Sequence, residues 1–139
     1  MKKILILLTF SLLIQSSSVV LAEDVDLTGS WSSKYQFGSI EEVMTANIQQ
    51  VGANLLGSFT VKPSSGDEYS GVIFGIVDGD RVMANYLSVR NSGDDKDPVM
   101  VITLTDSRIV DKNTLKGTYY VQDSDMNAIS EQPYEATRK

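Results

Sequence analysis

From Thr28 to Arg138 the chain is a succession of short runs in which apolar and polar positions alternate, broken by clusters of Gly, Asn, Asp and Pro. A period of two sends successive side chains to opposite faces, so each run reads as a strand with one face on a core and the other toward water. In Thr28–Phe37, Trp31, Ser33, Tyr35 and Phe37 share one face, and Ser30, Ser32, Lys34 and Gln36 share the other. Gly38–Glu42 reads as a loop or a single helical turn, where Glu41 and Glu42 would sit favourably at a helix start. Val43–Val51 aligns Met44, Ala46 and Ile48, and Gly52-Ala53-Asn54 is a tight hairpin signal. Leu55–Lys62 aligns Leu55, Gly57, Phe59 and Val61 before a break at Pro63–Asp67. Tyr69–Val77 and Arg81–Arg90 flank a second hairpin signal, Asp78-Gly79-Asp80. A polar loop, Asn91–Pro98, leads into Val99–Thr105, and Arg108–Val110 reads as a short separate strand before the turn Asp111-Lys112-Asn113. Thr114–Gln122, a polar loop over Asp123–Glu131 and a short closing strand, Pro133–Arg138, complete the chain.

These runs make about eight or nine strands with almost no helical periodicity. Short connections make neighbouring strands antiparallel. An open meander leaves two unpaired edges, and closure removes both. The expected fold is therefore all-β, an antiparallel up-and-down β-barrel of about eight strands, with a β-sandwich as the alternative. A recurring phrase fits closure: Leu27-Thr28-Gly29-Ser30-Trp31, Leu55-Leu56-Gly57-Ser58-Phe59 and Leu115-Lys116-Gly117-Thr118-Tyr119. Glycine allows a sharp bend or a close backbone approach near a strand start, and the aromatic two residues on fills the same face. Two runs are apolar on both faces, Val72–Val77 and Val99–Leu104. One face can fill a barrel. The other needs covering by the chain's own loops or by a second copy of the protein.

The segment before these strands has a different character. Lys2 and Lys3 precede the apolar stretch Ile4–Ile14, too short to span a bilayer, and Val20-Leu21-Ala22 offers small side chains for cleavage. This predicts an export signal over residues 1–22, a flexible acidic start over 23–26 and a single β-barrel domain over 27–139, working outside the cytoplasm in the periplasm or the medium. No second apolar run of membrane length follows. The whole chain of 139 residues carries a formal charge of −6. Removing the signal takes away Lys2 and Lys3 and no acid, which would lower the charge to −8. Such a surface repels nucleic acid and anionic membrane.

Cysteine and histidine are both absent. That excludes disulfide staples, thiol nucleophiles and histidine bases, and disfavours soft metal sites. Oxygen chemistry remains. Asp123-Ser124-Asp125-Met126-Asn127 matches the first half of a calcium loop, so Asp123, Asp125, Asn127 and, at position nine, Glu131 are candidate ligands. Ala128 stands where such a loop has glycine and Tyr134 where it has glutamate, and a solvated turn accounts for the same acids. No cofactor is expected, and calcium is the one exception this pattern leaves open. Most other acids sit in expected turns, which turn chemistry explains, and no nucleophile elbow or phosphate loop is present.

Leu27-Thr28-Gly29-Ser30-Trp31 and the repeated Gly-[Ser/Thr]-aromatic starts resemble the avidin and lipocalin group of eight-stranded barrels. In that group a Gly-x-Trp near the N-terminus plugs one end of the barrel, and Trp31, the only tryptophan here, occupies the matching place. The chain departs from avidins in having no further tryptophans, and from lipocalins in its lack of cysteine. Alternation alone makes Trp31, Ser33, Tyr35, Phe59, Phe74, Tyr86 and Tyr119 the candidate ligand-binding side chains, with Asn85 and Tyr120 as further polar groups. The expected function is an exported, non-enzymatic barrel that binds a small or apolar ligand. The alternatives are an extracellular protein-interaction or structural module, which could assemble as a homo-oligomer, and a carboxylate-based hydrolase.

Overall fold

A computed structural model describes residues 25–90, 98–122 and 128–139. The expected signal over 1–22, the polar loop over 91–97 and three of the four candidate calcium ligands, Asp123, Asp125 and Asn127, lie outside the described residues. Eight strands form one closed antiparallel barrel in sequence order. They are β1 (Gly29–Phe37), β2 (Ile40–Val51), β3 (Asn54–Pro63), β4 (Tyr69–Asp78), β5 (Arg81–Arg90), β6 (Val99–Asp111), β7 (Thr114–Gln122) and β8 (Ala128–Arg138).

Two-residue connections join β2 to β3 and β4 to β5, where both hairpin signals lie. Such turns need positive φ, which Gly52 supplies at 58°. Three expectations are corrected. Gly38–Glu42 is not a loop or a helical turn. Ile40–Glu42 belong to β2, with Phe37 opposite Ile40, because a hairpin there lets β2 pair along the whole of β1. Arg108–Val110 is not a separate strand but the end of a continuous 13-residue β6, bulged between Ile109 and Asp111. The closing strand starts at Ala128 rather than Pro133, so Glu131 lies in a strand opposite Tyr120. In each case a partner strand extends the pairing beyond the run that alternation marks. Pairing in a closed barrel overrides local propensity.

The register sorts the faces. Inside lie Trp31, Met44, Ala46, Ile48, Leu55, Phe59, Val61, Ile73, Val82, Ala84, Tyr86, Leu115, Tyr119, Val121, Tyr134 and Ala136, all buried. The repeated phrase is now legible: Leu27, Leu55 and Leu115 belong to the core, and Trp31, Phe59 and Tyr119 lie two inward positions further along, past the glycine. Ala or Ser faces several of these large groups, which lets the interior fill without strain.

The barrel closes where β1 meets β8, over only three residue pairs, Trp31–Ser33 against Arg138–Ala136. Side chains reinforce this seam. Ser33 Oγ donates to the Glu135 carbonyl at 2.7 Å, and Tyr119 Oη, reaching over from β7, donates to the Gln36 carbonyl at 2.6 Å. Pro133, which has no N–H to give, sits beyond the end of the β1–β8 ladder. Arg138 stacks over the Trp31 ring at 4.6 Å and donates to the carbonyls of Asp26, Thr28 and Lys112. It thereby ties the approach to β1 and the β6–β7 turn to the last strand. Val25 packs on the core, and Asp26 accepts the Thr28 N–H at 2.8 Å.

Candidate functional site

The two ends of the barrel differ. At the end carrying the β2–β3, β4–β5 and β6–β7 turns the interior is solid. Leu27 is fully buried and Trp31 is 2 % exposed, its indole N–H donating to the Leu27 carbonyl at 2.9 Å. At the opposite end, where β1 turns into β2 and β3 passes to β4, a cavity of about 40 Å³ remains. Aromatic side chains dominate its wall: Tyr35, Phe37, Phe59, Tyr69, Tyr86, Tyr119 and Tyr134. Tyr35 lies against Tyr119 with ring centroids 5.2 Å apart, and Phe59 meets Tyr86 edge-on at 5.4 Å. Ser88, Thr103 and Thr105 add hydroxyls.

Glu42 is the polar centre of this wall. The hairpin that overturned the loop expectation gives Glu42 an inward register position, opposite Tyr35, and its side chain is 3 % exposed. Tyr69 Oη donates to its Oε2 at 2.9 Å, and Tyr35 hydrogen-bonds within the same group. All four ion pairs found among the described residues join exposed side chains, and none involves Glu42. Burial, then the neighbouring Tyr69 and Glu42, drives the Tyr35 phenol far above its ordinary value. Burial does the same for Tyr86 and raises Tyr134. These phenols stay protonated in the folded protein.

Of the residues that alternation singled out, Tyr35, Phe59, Tyr86 and Tyr119 line the cavity. Trp31 and Ser33 do not. Trp31 fills the closed end, as its resemblance to a barrel plug implied, and Ser33 is spent on the β1–β8 seam. Phe74 points outward and is 46 % exposed. It pairs with Leu56 on one side and Asn85 on the other, both also on the outer face, and Tyr120 lies outward opposite Leu104. The sequence offered two faces of β4 that were equally apolar, and only the register with β3 assigns them. Glu131, the one candidate calcium ligand among the described residues, is exposed, and the described residues contain no cluster of three acids that could hold a metal. Glu42, Phe37, Tyr69 and Tyr134 were missed. Glu42 could have been found from its spacing to Met44, Ala46 and Ile48, which continues the same alternation backward.

No family model matches the chain, and no curated protein does. Among solved structures, it is similar to a de novo designed fluorescence-activating beta barrel, with a TM-score of 0.58, 15% identity, and coverage of 81% of this chain and 93% of that one. It is also similar to a redesigned beta barrel, mFAP1, bound to DFHBI, with a TM-score of 0.59, 13% identity, and coverage of 81% and 94%. At such identity the likeness concerns the path of the backbone, and it agrees with the register in identifying the fold as an eight-stranded closed antiparallel β-barrel.

Proposed function

We propose that this protein is an exported, non-enzymatic barrel that receives a small, partly apolar molecule at its open end. The observation that carries this reading is the contrast between the ends: one plugged by Trp31 and Leu27, the other hollow, walled by aromatic rings and furnished with one buried acceptor. Pockets that combine apolar walls with a few convergent polar groups are the usual form of a small-ligand site. The structural likeness to a redesigned barrel bound to DFHBI supports this reading, since a backbone of similar path carries a small molecule there. A carboxylate hydrolase would need a second acid facing the first across a cleft, and Glu42 is the one buried acid among the described residues. Native mass spectrometry of protein purified from its own host tests the reading. An added mass that is reproducible and lost on denaturation is expected, and a bare mass in every preparation would overturn it.

A second reading rests on a different surface. Leu56, Val72, Phe74 and Ile76 are exposed on the outside of β3 and β4, and Met83, Leu87, Ile102 and Leu104 continue the patch across β5 and β6. The occupant that fits is a second copy of this chain. Four strands about 4.8 Å apart and three outward rungs about 6.8 Å apart make a footprint of roughly 400 Å² per copy. The total of about 800 Å² lies below the range of stable specific interfaces, which makes the dimer a weak, reversible one. Asn85, in the middle of the patch, suits a two-fold contact because an amide both donates and accepts and so can pair with itself. Sedimentation over a wide concentration range should show a monomer–dimer equilibrium, and a monomer at the highest concentration would exclude it.

A further inference from the structure

From the placement of Glu42 we infer that the ligand of the open-end cavity is a primary ammonium with an apolar tail, bound head inward on this carboxylate. The inference rests on the cavity being a ligand site and names what enters it. A carboxylate has two oxygens and about four acceptor positions. Here the described partners are phenol hydroxyls, Tyr69 at 2.9 Å and Tyr35 beside it. Neither supplies positive charge, and the lysines and arginines in ion pairs are all on the outside. Burying a carboxylate with no counter-charge beside it is unfavourable. The free acceptor positions and the missing charge are what an ammonium group would supply.

The surroundings point the same way. Tyr35, Phe37 and Tyr69 stand beside Glu42 in the wall, and aromatic faces attract cations. Ser88, Thr103 and Thr105 offer oxygens to the remaining ammonium hydrogens. Size decides the orientation. A water-sized group needs about 10–15 Å³ of such space, so 40 Å³ takes an ammonium and the first carbon or two of its chain, but no ring. The rest of the tail must lie beyond this cavity. An anion of the same shape would meet Glu42 and an acidic protein of net charge −6.

The test compares three probes of one shape, hexylamine, hexanol and hexanoate, by calorimetric titration into the whole folded protein at neutral pH, with Glu42→Gln as the paired variant. Hexylamine is expected to bind at least tenfold tighter than hexanol, with hexanoate weakest. Glu42→Gln is expected to erase the preference, bringing hexylamine binding down to within about twofold of hexanol binding in the same variant. Equal binding of hexylamine and hexanol to the native protein would overturn the ammonium assignment and leave the carrier reading standing. Tighter binding of hexanoate would overturn it by showing that the site favours an anion. Absence of binding by all three would overturn the assignment, and with a bare mass from the host it would remove the carrier reading too. The native-protein comparison decides the matter even if Glu42→Gln does not fold.

Discussion

Replacing Gly117 by alanine tests the claim that the recurring Leu-x-Gly phrase exists to let strands approach closely. A Cβ at Gly117 would lie 2.1 Å from the Asp106 carbonyl oxygen and 2.5 Å from the Ser107 Cα, both backbone atoms of the neighbouring strand. An ordinary carbon–oxygen contact is about 3.3 Å, so β6 and β7 must part by roughly 1 Å at this point. In a closed barrel that separation cannot be relieved at an edge. Two adjacent ladder hydrogen bonds would lengthen beyond good geometry, at about 1 kcal/mol each. Overpacking adds about 1–3 kcal/mol. The combined loss of about 3–5 kcal/mol is a large part of the 5–15 kcal/mol typical of a domain, and should lower Tm by on the order of 10–20 °C. Gly38→Ala is the control. Its Cβ would meet nothing within 4 Å, and its φ of +62° makes the cost purely conformational, about 1 kcal/mol. Urea and thermal melts followed by circular dichroism and by the single tryptophan would report both. If Gly117→Ala cost no more than Gly38→Ala, the close-approach argument would be wrong.

Other expectations follow from the closed end, the buried phenols and the outer face. Trp31→Ala should cost about 3–5 kcal/mol in a urea melt, since it empties the plug. Arg138→Ala should cost about 2–3 kcal/mol by the same assay through loss of the Trp31 stack and three carbonyl contacts; Arg138→Lys should recover only part, because a lysine is a point charge and not a fork. Tyr86 and Tyr134, raised by burial, keep their protons in the folded state after the unfolded chain has lost them. Stability should thus be full below about pH 10 and fall above it, by up to about 1.4 kcal/mol per pH unit for each phenol, with tyrosinate absorbance from these residues arising only on unfolding. Phe74→Glu should abolish the concentration-dependent dimer in sedimentation while changing the melting curve by less than about 0.5 kcal/mol, because the side chain is exposed.

How far the sequence was readable depended on how strongly a segment's own pattern opposed its partner's demands. β3, β5 and β7 were read almost to the residue, because each has clean alternation between two turn signals. Ile40–Glu42 and Ala128–Gln132 were not, because most of their residues are polar and β structure there depends on the strand alongside. The same limit governed the site. Tyr35, Phe59, Tyr86 and Tyr119 were legible from alternation, whereas Glu42 was hidden behind the misread turn. Phe74 was assigned inward because both faces of its strand are apolar.

The sequence by itself determined an all-β chain of about eight antiparallel strands and favoured a closed barrel over a sandwich, because these follow from period-two patterning, turn chemistry and the cost of open edges; the place of the single tryptophan at one end was implied by resemblance alone. It also determined that any chemistry would be oxygen chemistry, since it contains neither cysteine nor histidine. Only the tertiary structure decided which face of β4 is buried, which end of the barrel is hollow, and that Glu42 stands there among phenols. These are properties of register between strands distant in sequence, where a shift of one residue exchanges inside for outside.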